Sequence, residues 1–81
     1  MKKSRTALGA HLTDARAERG VTQAVVADAI GCRSVSMGRW ERGVEEPSDE
    51  RLIDLASYYG LSLQKLVLLK FQAKTGVENI V

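Results

Sequence analysis

Apolar residues recur along this chain at spacings of three and four, and a glycine closes each of the first four runs, which is the pattern of short amphipathic helices rather than strands. The first run, from about Thr6 to Arg19, sets Leu8, Leu12 and Ala15 on an inner face and stops at Gly20. Thr22 suits the N-cap of a second helix that starts at Gln23, because its hydroxyl can accept an otherwise unpaired N–H of the first turn. Val26, Ala27 and Ile30 form the inner face of that helix, and Gly31 ends it. A third helix, beginning near Arg33, turns Met37 and Trp40 inward and Ser34, Val35, Gly38, Arg39 and Arg42 outward before Gly43 closes it. Pro47 and Ser48 open a fourth, with Asp49 and Glu50 in the first turn, where the helix dipole favours negative charge. Leu52, Ile53, Leu55, Ala56 and Tyr59 give it a buried stripe, Gly60 terminates it, and Ser62 caps a fifth helix from Leu63. The fold class predicted is all-α, a compact five-helix bundle over residues 6–70, with an arm at 1–5 and a tail at 71–81.

The second and third helices are the most informative pair, since Gly31 can adopt positive φ and the chain restarts as a helix within about three residues. Such a tight turn between two short helices is a helix-turn-helix, and it points at DNA. Periodicity alone would allow an ordinary surface helix; the short glycine turn and an outer face that carries Arg and no acid before Glu41 favour the DNA reading.

Composition narrows the choice. With 81 residues the chain has room for one small domain and too little core for a roomy active site. The net charge of +2 neither demands nor excludes nucleic acid, so its distribution decides. Lys2, Lys3 and Arg5 make the arm basic, and Arg33, Arg39 and Arg42 face only Glu41 in their stretch, whereas Glu45, Glu46, Asp49 and Glu50 follow as an acidic run. Cys32 is the only cysteine, which rules out an internal disulfide and fits a reducing compartment. No apolar run of about 18 residues and no signal peptide is read in the chain, so a soluble cytoplasmic protein is expected. His11 reads as a solvated histidine without metal-binding company, and no catalytic triad, carboxylate pair or phosphate loop can be assembled. Neither enzymatic activity, nor a cofactor, nor a metal is expected.

The fifth helix has hardly any polar face, because Leu63, Leu66, Val67, Leu68, Leu69 and Phe71 leave room only for Gln64, Lys65 and Lys70. One side packs on the core and the other needs cover. A homodimer contact through Val67, Leu68 and Phe71 is expected; the alternatives are that Val77, Ile80 and Val81 fold back over it, or that the tail pairs as a strand across the dimer.

From Leu8 to Leu69 the chain resembles the lambda repressor and Cro type of helix-turn-helix domain, the XRE family. The matching residues are Leu8-Gly9, Arg16, Arg19-Gly20-Val21-Thr22-Gln23, Val26-Ala27, Gly31, Arg39-Trp40-Glu41-Arg42-Gly43, Pro47-Ser48, Leu52, Leu55-Ala56 and Gly60-Leu61-Ser62-Leu63. The resemblance implies that Gln23 opens the second helix and bonds a DNA phosphate, and that the third helix enters the major groove with its N-terminal residues at base edges. Ser34 and Val35 stand at base-contacting positions, and Arg39, one turn on, is expected to read guanine O6 and N7, a contact worth about 1–3 kcal/mol of discrimination. Val35 suits a thymine methyl; Ser36 suits a phosphate or a bond back to its own helix. Arg33, Arg42, the backbone at Gly43 and the arm residues Lys2, Lys3 and Arg5 are expected to hold phosphates. Arg16 and Glu41 pair in relatives as a partly buried structural ion pair, and the same is expected here; Trp40 is expected in the core.

Three departures from the family pattern matter. Glu45 and Glu46 occupy a loop where relatives carry basic residues, so weaker binding or a loop tilted from the duplex is expected. Arg33 stands where Ser or Thr would cap the recognition helix, and Gly38 costs that helix about 1 kcal/mol relative to Ala unless the backbone must approach a phosphate or base. The function expected is a dimeric transcriptional repressor of Cro or controller type, of phage or bacterial origin, at a roughly palindromic operator. An antitoxin that represses its own operon is a variant of that theme. The acidic loop is where contact with RNA polymerase would be sought. A protein-interaction module using that loop and the fifth helix is the rival from another class.

Overall fold

Four hydroxyls start four helices. In the computed structural model, which describes residues 6–75, Thr6 Oγ1 accepts from Gly9 N at 2.9 Å, and Thr22, Ser48 and Ser62 accept from Val25, Arg51 and Lys65 N at 3.2 Å each. They open α1 (Ala7–Arg19), α2 (Gln23–Ile30), α4 (Asp49–Tyr59) and α5 (Leu63–Thr75). Between α2 and α4, α3 (Ser34–Arg42) starts at Arg33 without any side-chain cap, as the missing Ser or Thr implies. The first four helices end on glycines in the left-handed region, with φ between 69° and 79°, which a side chain would strain. Among the described residues all regular structure is helical.

Leu12, Met37, Leu52, Leu55 and Leu66 are fully buried, and Leu8, Val26, Ala27, Trp40, Ala56 and Tyr59 complete the core. Trp40 thus packs rather than offering a stacking surface. Helix α2 lies on α3, α1 crosses α3, and α5 closes the bundle against α1 and α4. Where α1 crosses α3, a Cβ on Gly9 would sit 2.5 Å from the carbonyl oxygen of Glu41 and 2.9 Å from that of Trp40, so only glycine admits this approach of two backbones.

The structure departs from the sequence reading at three places in the bundle. Ile53 is 53% exposed instead of buried, because Leu52, Leu55, Ala56 and Tyr59 already fill the inner stripe and Ile53 lies beside it. Gly38 is buried rather than outward: its Cα lies beneath Gln23 and Arg42, whose side-chain atoms come within 3.5 Å and 3.1 Å of an added Cβ. The close approach that justifies this glycine is therefore to the protein's own side chains. Helix α5 also runs to Thr75, across the expected boundary between domain and tail at residue 70.

One brace has no counterpart in the sequence reading. Arg51, in the first turn of α4, donates from Nη1 to Ile30 O at 2.8 Å and from Nη2 to Gly31 O at 3.2 Å, with Asp54 holding Nη1 at 3.2 Å. Two carbonyls at the end of α2 that have no intrahelical partner are thereby satisfied, and the α2–α3 turn is fixed from below.

Candidate nucleic-acid interface

Helix α3 divides its residues between two jobs. Met37, Trp40 and Glu41 face inward, while Ser34, Val35, Arg39 and Arg42 are exposed on the opposite side, joined by the exposed Arg33 at its start. Ser36 is half-buried at the border. An exposed surface of two small side chains followed by arginines, on a rigid helix packed against a second helix, matches what a DNA major groove admits.

The rigidity comes from Glu41, the one charged side chain buried among the described residues. Arg16 of α1 grips its carboxylate with both ends of the guanidinium, Nε to Oε2 at 2.8 Å and Nη2 to Oε1 at 3.0 Å, and donates its remaining nitrogen to Val21 O at 3.0 Å. Gln23 of α2 donates from Nε2 to the same Oε1 at 3.0 Å. A single carboxylate thus ties three helices. Burial, the largest influence on Glu41, pushes its carboxyl up, but the hydrogen bonds from Arg16 and Gln23 and the Arg16 charge together hold it below the usual carboxylate range. Arg16 is raised in turn, chiefly by its hydrogen bonds to Glu41. Tyr59 lies within reach of this pair's field; burial first, then the Glu41 charge, push its phenol up to about 12.

Gln23 is consequently occupied at one of its two amide hydrogens. The other stands at the N-terminus of α2, where the resemblance sets a phosphate.

Gly43 closes α3 and opens the loop that follows. Its N–H donates to Trp40 O at 3.2 Å, and Val44 N and Glu45 N both donate to Arg39 O, at 3.0 and 3.3 Å. These donors satisfy the last carbonyls of α3. The loop folds back on the helix end, and Glu45 Oε1 lies 4.0 Å from Arg39 Nη1. Lys2, Lys3 and Arg5 lie outside the described residues.

On α5, Leu66 is buried and Leu69 packs against the core, while Val67, Leu68 and Phe71 are 43%, 55% and 62% exposed. Val67 and Phe71 border a groove shared with Asp49 of α4, whose carboxylate meets Lys70 at 3.3 Å. Val77, Ile80 and Val81 are outside the described residues. His11 is half-buried on α1, and Cys32 is half-buried in the α2–α3 turn, where burial pushes its thiol up and away from reactivity. Among the described residues no helix is long and apolar enough to cross a membrane.

Sequence reasoning missed Arg51, and it singled out Glu45 without its approach to Arg39. Arg51 carries no local signal of its brace, since the two carbonyls it holds lie about twenty residues away; for Glu45 the acid was visible but the turn that aims it was not.

No curated protein and no solved structure matches the chain. One family model does, described as a helix-turn-helix domain, over residues 7–69, which runs from the first residue of α1 into α5. That span contains the α2–turn–α3 unit, its glycine stops and the Arg16–Glu41–Gln23 frame. The chain belongs to the helix-turn-helix domain family, whose structural unit is one that binds DNA.

Proposed function

We propose that this protein is a sequence-specific regulator of transcription, a dimeric repressor of Cro or controller type that occludes polymerase at a two-fold-related operator. The observation that carries the reading is the outer face of α3: Ser34, Val35 and Arg39 stand exposed on a helix whose inner face is locked by Glu41. In the complex, Ser34 and Val35 meet base edges and Arg39 reads guanine. Arg33, Ser36, Arg42, the free amide hydrogen of Gln23 and the basic arm hold phosphates and set the register. The exposed Val67, Leu68 and Phe71 pair with the same residues of a second copy, an isologous contact that would bring two recognition helices to half-sites about 34–36 Å apart. Such a protein works in the compartment that holds the DNA, the bacterial cytoplasm.

The test is selection of sheared genomic fragments by the purified protein at about 0.15 M salt, followed by sequencing. Enrichment of a short two-fold-related site, lost with Arg39→Ala, is the expected result; sedimentation of Phe71→Lys as a monomer beside a dimeric wild type checks the contact. No enrichment would transfer the reading to a protein-interaction module, for which the exposed acids of the loop and the apolar face of α5 are the favouring observations.

A further inference from the structure

The geometry points to Glu45 as an internal competitor of DNA for Arg39, a residue that sets how strongly this interface engages its site. The inference rests on the DNA reading above.

Two backbone bonds aim the carboxylate. Val44 N and Glu45 N share the Arg39 carbonyl, so the chain doubles back within one turn of the arginine, and Glu45 Oε1 arrives 4.0 Å from Arg39 Nη1. The placement is selective. Arg42 is also exposed on α3 and has no carboxylate partner among the described residues, and the neighbouring acid Glu46 has no cationic one. The acid is thus directed at the residue assigned to base reading, and the arginine suited to phosphate contact is left without one.

Both side chains are about half exposed, 51% for Arg39 and 56% for Glu45, so their attraction is modest and screened by salt. A displaceable partner needs that weakness. The carboxylate holds the guanidinium at the loop in the free protein. A guanine edge that offers two acceptors in the plane of the fork draws it away. Every productive encounter then includes breaking the Arg39–Glu45 contact, and the affinity is lower by that amount.

A mere excess of negative charge near phosphates would also weaken binding, and a double-mutant cycle separates the two. The duplex selected by the wild-type chain is titrated by fluorescence anisotropy with wild type, Glu45→Gln, Arg39→Ala and the double variant, and with Glu46→Gln in both backgrounds. Glu45→Gln should tighten binding about two- to fivefold, the range an exposed ion pair supplies, and once Arg39 is alanine should tighten it no more than Glu46→Gln does. Glu46→Gln should act alike in both backgrounds. Equal tightening by Glu45→Gln with and without Arg39, or none with it, overturns the competitor and leaves the DNA reading standing. A wild-type chain that selects no duplex overturns both.

Discussion

Replacing Gly9 by alanine sets two predictions of opposite sign against each other. Helix propensity favours the change by about 1 kcal/mol, since alanine loses less backbone entropy than glycine within a helix. Packing opposes it, because the new Cβ would lie 2.5 Å from Glu41 O, where ordinary contact begins at 3.4 Å, and α1 must move by about 0.9 Å to make room. That obstacle is backbone and cannot swing aside. A shift of this size overpacks the crossing, at about 1–3 kcal/mol. It also lengthens the 2.8 Å bond from Arg16 to Glu41, a charge-assisted contact worth about 1.5–3 kcal/mol. The net loss expected is about 2–4 kcal/mol, a large share of the roughly 4–12 kcal/mol that a domain of this size possesses. Urea unfolding followed by far-ultraviolet circular dichroism should show the midpoint fall by about 1–2 M at the slope usual for small domains. Gly38→Ala is the internal comparison: its Cβ meets the far end of Arg42 at 3.1 Å and the amide of Gln23 at 3.5 Å, both of which can yield. That variant should match the wild type or gain up to about 1 kcal/mol. A Gly9→Ala protein as stable as the wild type would refute the backbone-contact reasoning, as would equal losses at both glycines.

Three further outcomes follow from the buried polar groups. Arg16→Met leaves the Glu41 carboxylate buried without its main partner and should cost about 3–5 kcal/mol in the same unfolding experiment; a loss below 1 kcal/mol would show the pair to be dispensable. Because the folded Glu41 carboxyl titrates below its unfolded value of about 4.3, its stabilisation is complete above that value and disappears as pH falls through the folded one, so Glu41→Gln should flatten the acid limb of the stability profile while lowering the plateau. Tyr59 has a buried hydroxyl with no hydrogen-bond partner among the described residues, so Tyr59→Phe should be neutral or stabilising at pH 7. Its phenol, raised to about 12, keeps its stabilisation up to the unfolded value near 10 and loses it as pH climbs through the folded one, and the phenylalanine variant should lack that alkaline decline.

Local chemistry made much of this fold legible. Thr6, Thr22, Ser48 and Ser62 mark helix starts because capping needs only the residues that follow within one turn, and the glycine stops are equally local. The core of Leu12, Met37, Leu52 and Leu55 follows from periodicity. What escaped depends on distances between helices. Gly38 has no side chain to betray which way it faces, and its burial is set by how near α2 lies. Ile53 is apolar yet exposed, since hydrophobicity at the margin of a stripe does not reveal whether a neighbour reaches it. For the candidate interface, the exposed positions on α3 could be read from helix geometry, and the meeting of Arg16 with Glu41 was implied by the family resemblance. Where the donors at and after Gly43 point was not legible, because it depends on a loop that doubles back on the helix it leaves.

The way Glu41 gathers Arg16 and Gln23 has a consequence for how such a protein can change its target. The groups that grip Glu41 lie on α1 and α2, and the side chains of Ser34, Val35 and Arg39 take no part in that grip. The lettering on the outer face can be rewritten one residue at a time while the type block beneath it stays clamped. Under the function proposed above, exchanges at these three positions alter DNA preference while leaving the Glu41 clamp intact, which makes the chain a scaffold whose outer α3 face can be diversified.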